Sequence, residues 1–301
     1  MKAGAINTVD VMTRATELSE HVFDTDGIGR WSEEITFPLD AERSIAYAKA
    51  TNDPIAQHLD GTLTPPVFAV VPALADLADV TMMVVPDELM LRILHGEQDF
   101  RFHRPIVPGE TLKVRSKVVG IEGKSSGVVV TTIAETRDEK DELVNERYFA
   151  GFFRGGNWPH NEGTPAPAHV FDESLRERPA DFVVEQQFDA DQTFRYAGPA
   201  GDPMPIHLDD DIAKQMGLPG IIMHGLCTMA FNSHAVLTSV APKNPERLKR
   251  LAVRFASPGR PGQVMSTSIW NTGRSGVFAF ESVNNEGQVL IKDGLAEIEG
   301  I

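Results

Sequence analysis

Residues 47–60 read YAKATNDPIAQHLD, and residues 196–209 read YAGPAGDPMPIHLD. Aligned without gaps at an offset of 202 − 53 = 149, they share Tyr, Ala, Asp, Pro, His, Leu and Asp. A second pair lies downstream: 101–109 is RFHRPIVPG and 254–262 is RFASPGRPG, at an offset of 254 − 101 = 153. Arg, Phe, two prolines and a glycine coincide there. Two matches in the same order, at nearly one offset, make the chain two copies of one unit. Between them, residues 156–180 are rich in Gly, Pro, Asn and His and lack apolar periodicity, which is the composition of a surface linker. The reading therefore divides the chain into an N-terminal unit over 1–155, the linker, and a C-terminal unit over 181–301.

Within each copy the pattern is helix first, then strands. Asp40 is placed to cap a helix over 41–50, and Asp191 or Asp189 to cap one before Tyr196. A longer apolar helix follows, over about 67–79 in the first copy and 224–239 in the second. Alternating or β-branched runs then predict strands at 112–121, 127–136 and 143–153, and at 251–255, 264–271, 277–283 and 289–298. Short polar turns such as Asn284-Asn285-Glu286-Gly287 join successive runs, so the sheets are antiparallel. One long apolar helix ahead of such a sheet must bury itself against it, which gives an α+β unit, twice.

The bulk numbers narrow the class. Against 28 Lys plus Arg stand 43 Asp plus Glu, a net charge of −15, which argues against nucleic acid or an anionic membrane as partner. Cys227 is the only cysteine, so no intramolecular disulfide forms and a reducing compartment fits. It lies on the second apolar helix as a small core residue. Residues 1–24 hold no continuous apolar run of the signal-peptide kind. The most apolar stretch, 67–85, carries Asp76 and Asp79 between flanking prolines, unlike a membrane span. The expectation is a soluble, cytoplasmic protein.

The stretch 196–213 carries the chemistry. Gly201 permits a sharp turn, and Pro203 and Pro205 stiffen the chain between Asp202 and His207. A rigid loop holding a carboxylate and an imidazole five residues apart can position one water between them. Such a pair is also what a turn opened by Asp and closed by His looks like, so spacing alone leaves both readings open.

The pattern Tyr-x-x-x-x-Gly-Asp-x-x-Pro-x-His resembles the signature of the MaoC-like, or hydratase 2, family of R-specific enoyl-CoA hydratases. The segments IIMHGLCTMA (221–230) and AVRFASPGRPGQVMSTSIW (252–270) look like that family's next landmarks, and LHGEQDFRFHRPIVPGETL (94–112) is similar to the degenerate first copy of its two-domain members. The resemblance implies a double hotdog fold, in which each copy wraps an antiparallel sheet around a long helix. It implies reversible hydration of a trans-2-enoyl-CoA to the (R)-3-hydroxyacyl-CoA, with Asp202 and His207 holding the water and no cofactor or metal. Gly225 is implied as the donor of a backbone N–H to the thioester oxygen, at a helix N-terminus suited to enolate charge. Tyr196, Gly201, Met204, Pro205, His224 and Arg254 are expected around the substrate, and Lys249 and Arg250 beside Arg254 as basic neighbours. An acyl-CoA thioester is the expected partner and a homodimer the expected assembly.

This chain departs from the pattern twice. Met204 stands where the family usually has Asn, and the first copy keeps Asp53 and His58 at the dyad's spacing. That copy has VFAVVPA (67–73) where a His-Gly would start its helix, so Asp53 and His58 are read as a relic or structural pair. Two other activities fit the fold: a thioesterase, which needs a carboxylate on the central helix, and a non-catalytic acyl-CoA-binding or partner subunit. Residues 225–240 (GLCTMAFNSHAVLTSV) contain no Asp or Glu, which counts against hydrolysis. Gly27-Ile28-Gly29 opens no βαβ unit and is no dinucleotide loop, no metal motif is present, and His95 is read as structural.

Overall fold

The computed structural model describes residues 20–301; most of the N-terminal stretch read above for a signal peptide lies outside them. Strand β1 (Ile35–Pro38) leads into helix α1 (Ala41–Ala50), whose N-cap Asp40 accepts from the Glu42 N–H at 3.0 Å. After the short α2 (Ala56–Leu59), the apolar segment forms a 3₁₀ stretch, Pro66–Ala73, that runs into α3 (Leu74–Met83). The periodicity predicts one α-helix here. Pro72, which has no N–H to donate, interrupts it. Strands β2 (Ile93–Phe102), β3 (Thr111–Lys124), β4 (Gly127–Arg137) and β5 (Leu143–Arg154) complete the first unit. Along β3, Leu112, Val114 and Val118 point into the core while Lys113, Arg115 and Lys117 point outward, the period-two pattern of a strand with one buried face.

The linker is not featureless, as its composition had suggested. It contains β6 (Asn161–Gly163), which pairs with β3, and a 3₁₀ turn, Glu173–Glu177. Gly120 and Gly123 of β3 permit this, because a Cβ on either would collide with the linker backbone.

The second unit repeats the order: β7 (Phe182–Gln187), α4 (Gln192–Ala200), α5 (Asp210–Gln215), the central α6 (Gly225–Val240), then β8 (Leu248–Phe255), β9 (Val264–Asn271), β10 (Val277–Asn284) and β11 (Val289–Ile298). Helix α4 does not stop before Tyr196 but contains it, and its N-cap Asp191 makes no side-chain cap bond. In the predicted turn after β10, the Asn284 side chain accepts from the N–H groups of Glu286 and Gln288, with Gly287 at φ 79°.

The strands form one sheet in the order β1-β3-β4-β5-β2-β8-β11-β10-β9-β7. The second half of that order mirrors the first, and β2 and β8 join antiparallel at the centre. Asp99 there faces Ala252, its own counterpart at the offset of 252 − 99 = 153. Phe102 ends β2 as Phe255 ends β8. This is the double hotdog. Its main core is shared: Phe68 and Val70 of the 3₁₀ stretch pack in one cluster with Met229, Phe231 and Leu237 of α6, above Phe100 and Leu251 of the seam strands. Arg250–Asp99 (2.8 Å) and Arg254–Glu97 (2.6 Å) tie the seam on its other side.

Candidate active site

Helix α4 ends at Gly201, whose φ of 72° is the left-handed C-cap geometry that glycine adopts without a Cβ penalty. Its N–H and that of Asp202 both bond to the Ala197 carbonyl, at 3.0 and 3.1 Å. Pro203 and Pro205 then restrict the chain, and Pro205–His207 closes as a 3₁₀ turn with the His207 N–H on the Met204 carbonyl at 3.0 Å. The turn leaves Asp202 half-buried and His207 7% exposed.

His207 Nδ1 lies 2.8 Å from the Ile222 carbonyl. A carbonyl can only accept, so the proton sits on Nδ1 and the lone pair on Nε2 is free. Burial, the largest influence, lowers the His207 pKa below its ordinary 6.5, so the neutral base persists at neutral pH. The Asp202 carboxylate accepts one long bond, from the Met204 N–H at 3.4 Å, and among the described residues no other hydrogen bond to it is recorded. Its oxygens remain available to a water shared with His207.

The third component comes from α6. His224 is its N-cap residue and makes no side-chain cap, so the first N–H groups of the helix, beginning at Gly225, have no such partner. The His224 ring stacks on His207 with centroids 3.8 Å apart and planes at 28°, and Tyr196 lies against it at 4.8 Å. His224 Nε2–H donates to the main-chain carbonyl of Asp202 at 3.0 Å. Burial first, then neighbouring His207, pushes its pKa down to about 3.

Donor atoms of Asp202, His207 and His224 lie within 4.8 Å of one another, close enough to ask whether a metal fits. A cation must lie in the plane of each imidazole that ligates it. Ring planes inclined at 28° with centroids 3.8 Å apart meet only well beyond the reach of a metal–nitrogen bond from both rings. The arrangement suits a held water better than an ion.

The remaining expected residues separate into groups. Met204 is 49% exposed, beside the exposed Pro205. Tyr196 is 1% exposed; it backs His224, with its hydroxyl 3.3 Å from that of Tyr47. Arg254 is not brought to the dyad by any contact: it bonds Glu97 at 2.7 Å and Asp293 at 3.0 Å. Lys249 pairs with Glu299, and Arg250 with Asp99 and Glu297. Beside Gly225, a Cβ would meet the Phe255 ring at 3.2 Å, so this ring packs closely against the head of α6.

The first copy is arranged differently. His58 Nδ1 contacts Asp53 Oδ2 at 2.7 Å, with both side chains wholly buried, and His234 of α6 brings Nε2 to 3.1 Å of the same oxygen without hydrogen-bond alignment. Burial pushes the Asp53 pKa up, but the two imidazoles, His234 foremost, more than offset it and hold it below the ordinary 3.8. Sequence reasoning missed His234 and Phe255, since each acts on a residue far away in the chain.

Residues 172–292 match the MaoC like domain, and residues 57–155 the MFE-2 hydratase 2 N-terminal domain. The 3-hydroxyacyl-thioester dehydratase Y of Mycobacterium tuberculosis is 31% identical over 215 residues, which cover 68% of this chain and 72% of that protein. The peroxisomal multifunctional enzyme type 2 of Drosophila melanogaster is 30% identical over 252 residues, 80% of this chain but 41% of the fly protein, so this chain spans less than half of that relative. The crystal structure of a MaoC-like dehydratase from Phytophthora capsici superposes with a TM-score of 0.80 at 27% identity, covering 92% of this chain and 97% of that one. The fold and the paired sites define a double hotdog protein with one open and one closed Asp/His pair. The chain belongs to the MaoC-like, hydratase 2 family.

Proposed function

We propose that the protein hydrates trans-2-enoyl-CoA thioesters reversibly to (R)-3-hydroxyacyl-CoA. The observation that carries this is the convergence of the Asp202 carboxylate, the free Nε2 of His207 and the uncapped start of α6. A water held by the first two loses a proton to His207 Nε2 as its oxygen bonds to C3. The C2–C3 π electrons move toward the thioester, building enolate charge on its oxygen. Backbone N–H groups at the head of α6, Gly225 first, stabilise that charge in a water-poor site. C2 then takes the proton back from His207, so that the H and OH of one water are added and the dyad is restored. The names of the relatives, dehydratase and multifunctional enzyme, and the (R) course implied by the family support this reading. The same reading has the chain act in the cytoplasm, as a homodimer, on a soluble CoA thioester and on neither nucleic acid nor membrane.

The test follows the enoyl absorbance of crotonyl-CoA with free thiol measured in parallel. Loss of the band without thiol release is the expected result. Thiol release would mean hydrolysis, and neither change over several chain lengths would mean a binding role.

A further inference from the structure

We infer that His224 is the positioning residue that sets Asp202, His207 and the head of α6 relative to one another, and is not a substrate ligand. The inference rests on the hydration reading for its kinetic arm alone. Three segments meet at this ring. Asp202 follows α4, His207 closes the next turn, and Gly225 begins α6. They are otherwise joined at this point by chain connectivity and by two bonds at Ile222: His207 Nδ1–H to its carbonyl, and its own N–H to the Ile206 carbonyl at 3.3 Å.

His224 touches all three. Its Nε2–H grips the Asp202 carbonyl at 3.0 Å, which fixes the main chain that carries the carboxylate. Its face supports the His207 ring at 3.8 Å, which limits how that imidazole can tilt about its single Nδ1 bond. Its own main chain is the N-cap of α6, so the ring that holds the other two groups is carried by the residue directly before the first N–H groups of that helix. Tyr196 also lies against the ring at 4.8 Å, and His224 is 1% exposed. A side chain enclosed in this way is placed to hold other groups, not to meet a thioester arriving from solvent. The donor bond also fixes its tautomer, with Nδ1 as the unprotonated nitrogen, buried and without a described partner. A neutral ring is what this position requires, because an imidazolium would repel a proton arriving on His207.

Two substitutions separate this role from its rivals. His224→Phe keeps an aromatic face but has no N–H to give; His224→Gln keeps a donor that can reach the Asp202 carbonyl. His224→Phe is expected to lower kcat by on the order of 10- to 100-fold, as a misplaced catalytic group does, with KM within about threefold. His224→Gln should recover most of that loss. A raised KM at unchanged kcat would make His224 a substrate contact. A lowered melting temperature with normal kcat per folded molecule would reduce it to packing. Either outcome overturns the inference. ¹⁵N spectra of the imidazoles decide it without reference to turnover. In the wild type the His207 proton should stay on Nδ1, and in His224→Phe the His207 tautomer or titration should change. If no enoyl-CoA is turned over but His207 responds in this way, the hydration reading fails and the positioning role stands. An unchanged His207 signal in His224→Phe overturns the positioning role.

Discussion

The hydroxyl oxygens of Tyr47 and Tyr196 lie 3.3 Å apart, both rings wholly or almost wholly buried, although 149 residues separate them. Each is the other's counterpart in the duplicated segment. Together with Asp99 facing Ala252 on the seam, they mark two points on one pseudo-two-fold axis. Helices α1 and α4 pack against each other here, and each also supplies a bond to the other: Arg43 Nε to the Pro199 carbonyl at 2.9 Å and Arg195 Nη1 to the Lys49 carbonyl at 3.2 Å.

The tyrosine pair should behave as one unit in thermodynamics. Tyr47→Phe and Tyr196→Phe each leave one buried hydroxyl without its partner, at a cost of about 1–3 kcal/mol. The double substitution removes both hydroxyls and should cost less than the sum. Denaturant unfolding of the four proteins measures the difference, and strict additivity would mean that the 3.3 Å contact carries no energy.

Asymmetry between the two Asp/His pairs gives the second expectation. Asp202→Asn and His207→Ala should each lower the hydration rate by on the order of 10²-fold or more, with little loss of stability. Asp53→Asn should do the reverse. It removes the charge between two buried imidazoles, so the melting temperature falls while the rate per folded molecule stays within a few-fold. Dead first-copy variants with sound dyad variants would invert the assignment of the working copy.

Gly225 has two rival reasons to be glycine. Substitution by Val should abolish turnover, because a side chain at the head of α6 displaces the N–H from the thioester oxygen. Yet the structure also sets the Phe255 ring at 3.2 Å from any Cβ there. Pairing Gly225→Ala with Phe255→Leu removes the second reason and keeps the first. The double variant should regain stability and remain impaired; full recovery of turnover would leave Gly225 a packing residue only.

Acid should weaken both activity and fold. His207 is lowered from 6.5, so kcat/KM should hold through pH 6.5 and fall on an acid limb below it. For stability, burial, the largest influence in each case, depresses His224 to about 3 and His95 to about 4. The unfolded chain therefore binds more protons than the folded one from about 6.5 downward. The stabilisation is whole above 6.5 and is lost as pH falls through the folded values. Asp53, held below 3.8, adds a further loss at still lower pH. Melting temperatures at pH 7 and pH 4.5 test the sign: a protein equally stable at both contradicts the buried neutral imidazoles.

Much of this was legible in the sequence, for identifiable reasons. Helix α1 and strands β9 and β11 begin and end where their caps and alternation predict, because local preference and burial agree there. No strand was read over 93–102, although β2 is central to the sheet. Its outward residues Glu97, Asp99 and Arg101 look like a solvated run, and the Arg250 and Arg254 that neutralise the carboxylates lie about 150 positions away. The same distance explains why Arg254 was expected at the substrate. Asp202 and His207 could be found because both sit on one short stretch stiffened by proline. His224 as a clamp, Phe255 beside Gly225 and His234 over Asp53 are contacts made by folding, and no local pattern announces them.

The single sheet running through β2 and β8 also bears on how the chain is made. A ribosome releases the first unit well before β8 exists, so β2 emerges as a naked edge with Gln98 and Phe100 on its inner face and charges on the other. Until the second unit arrives, the best available partner for that edge is another β2, and the antiparallel seam already has the geometry to accept one. A fragment ending at 155 should therefore self-associate through β2 or precipitate. Vulnerability to aggregation would then be concentrated in the interval of synthesis between residues 155 and 255.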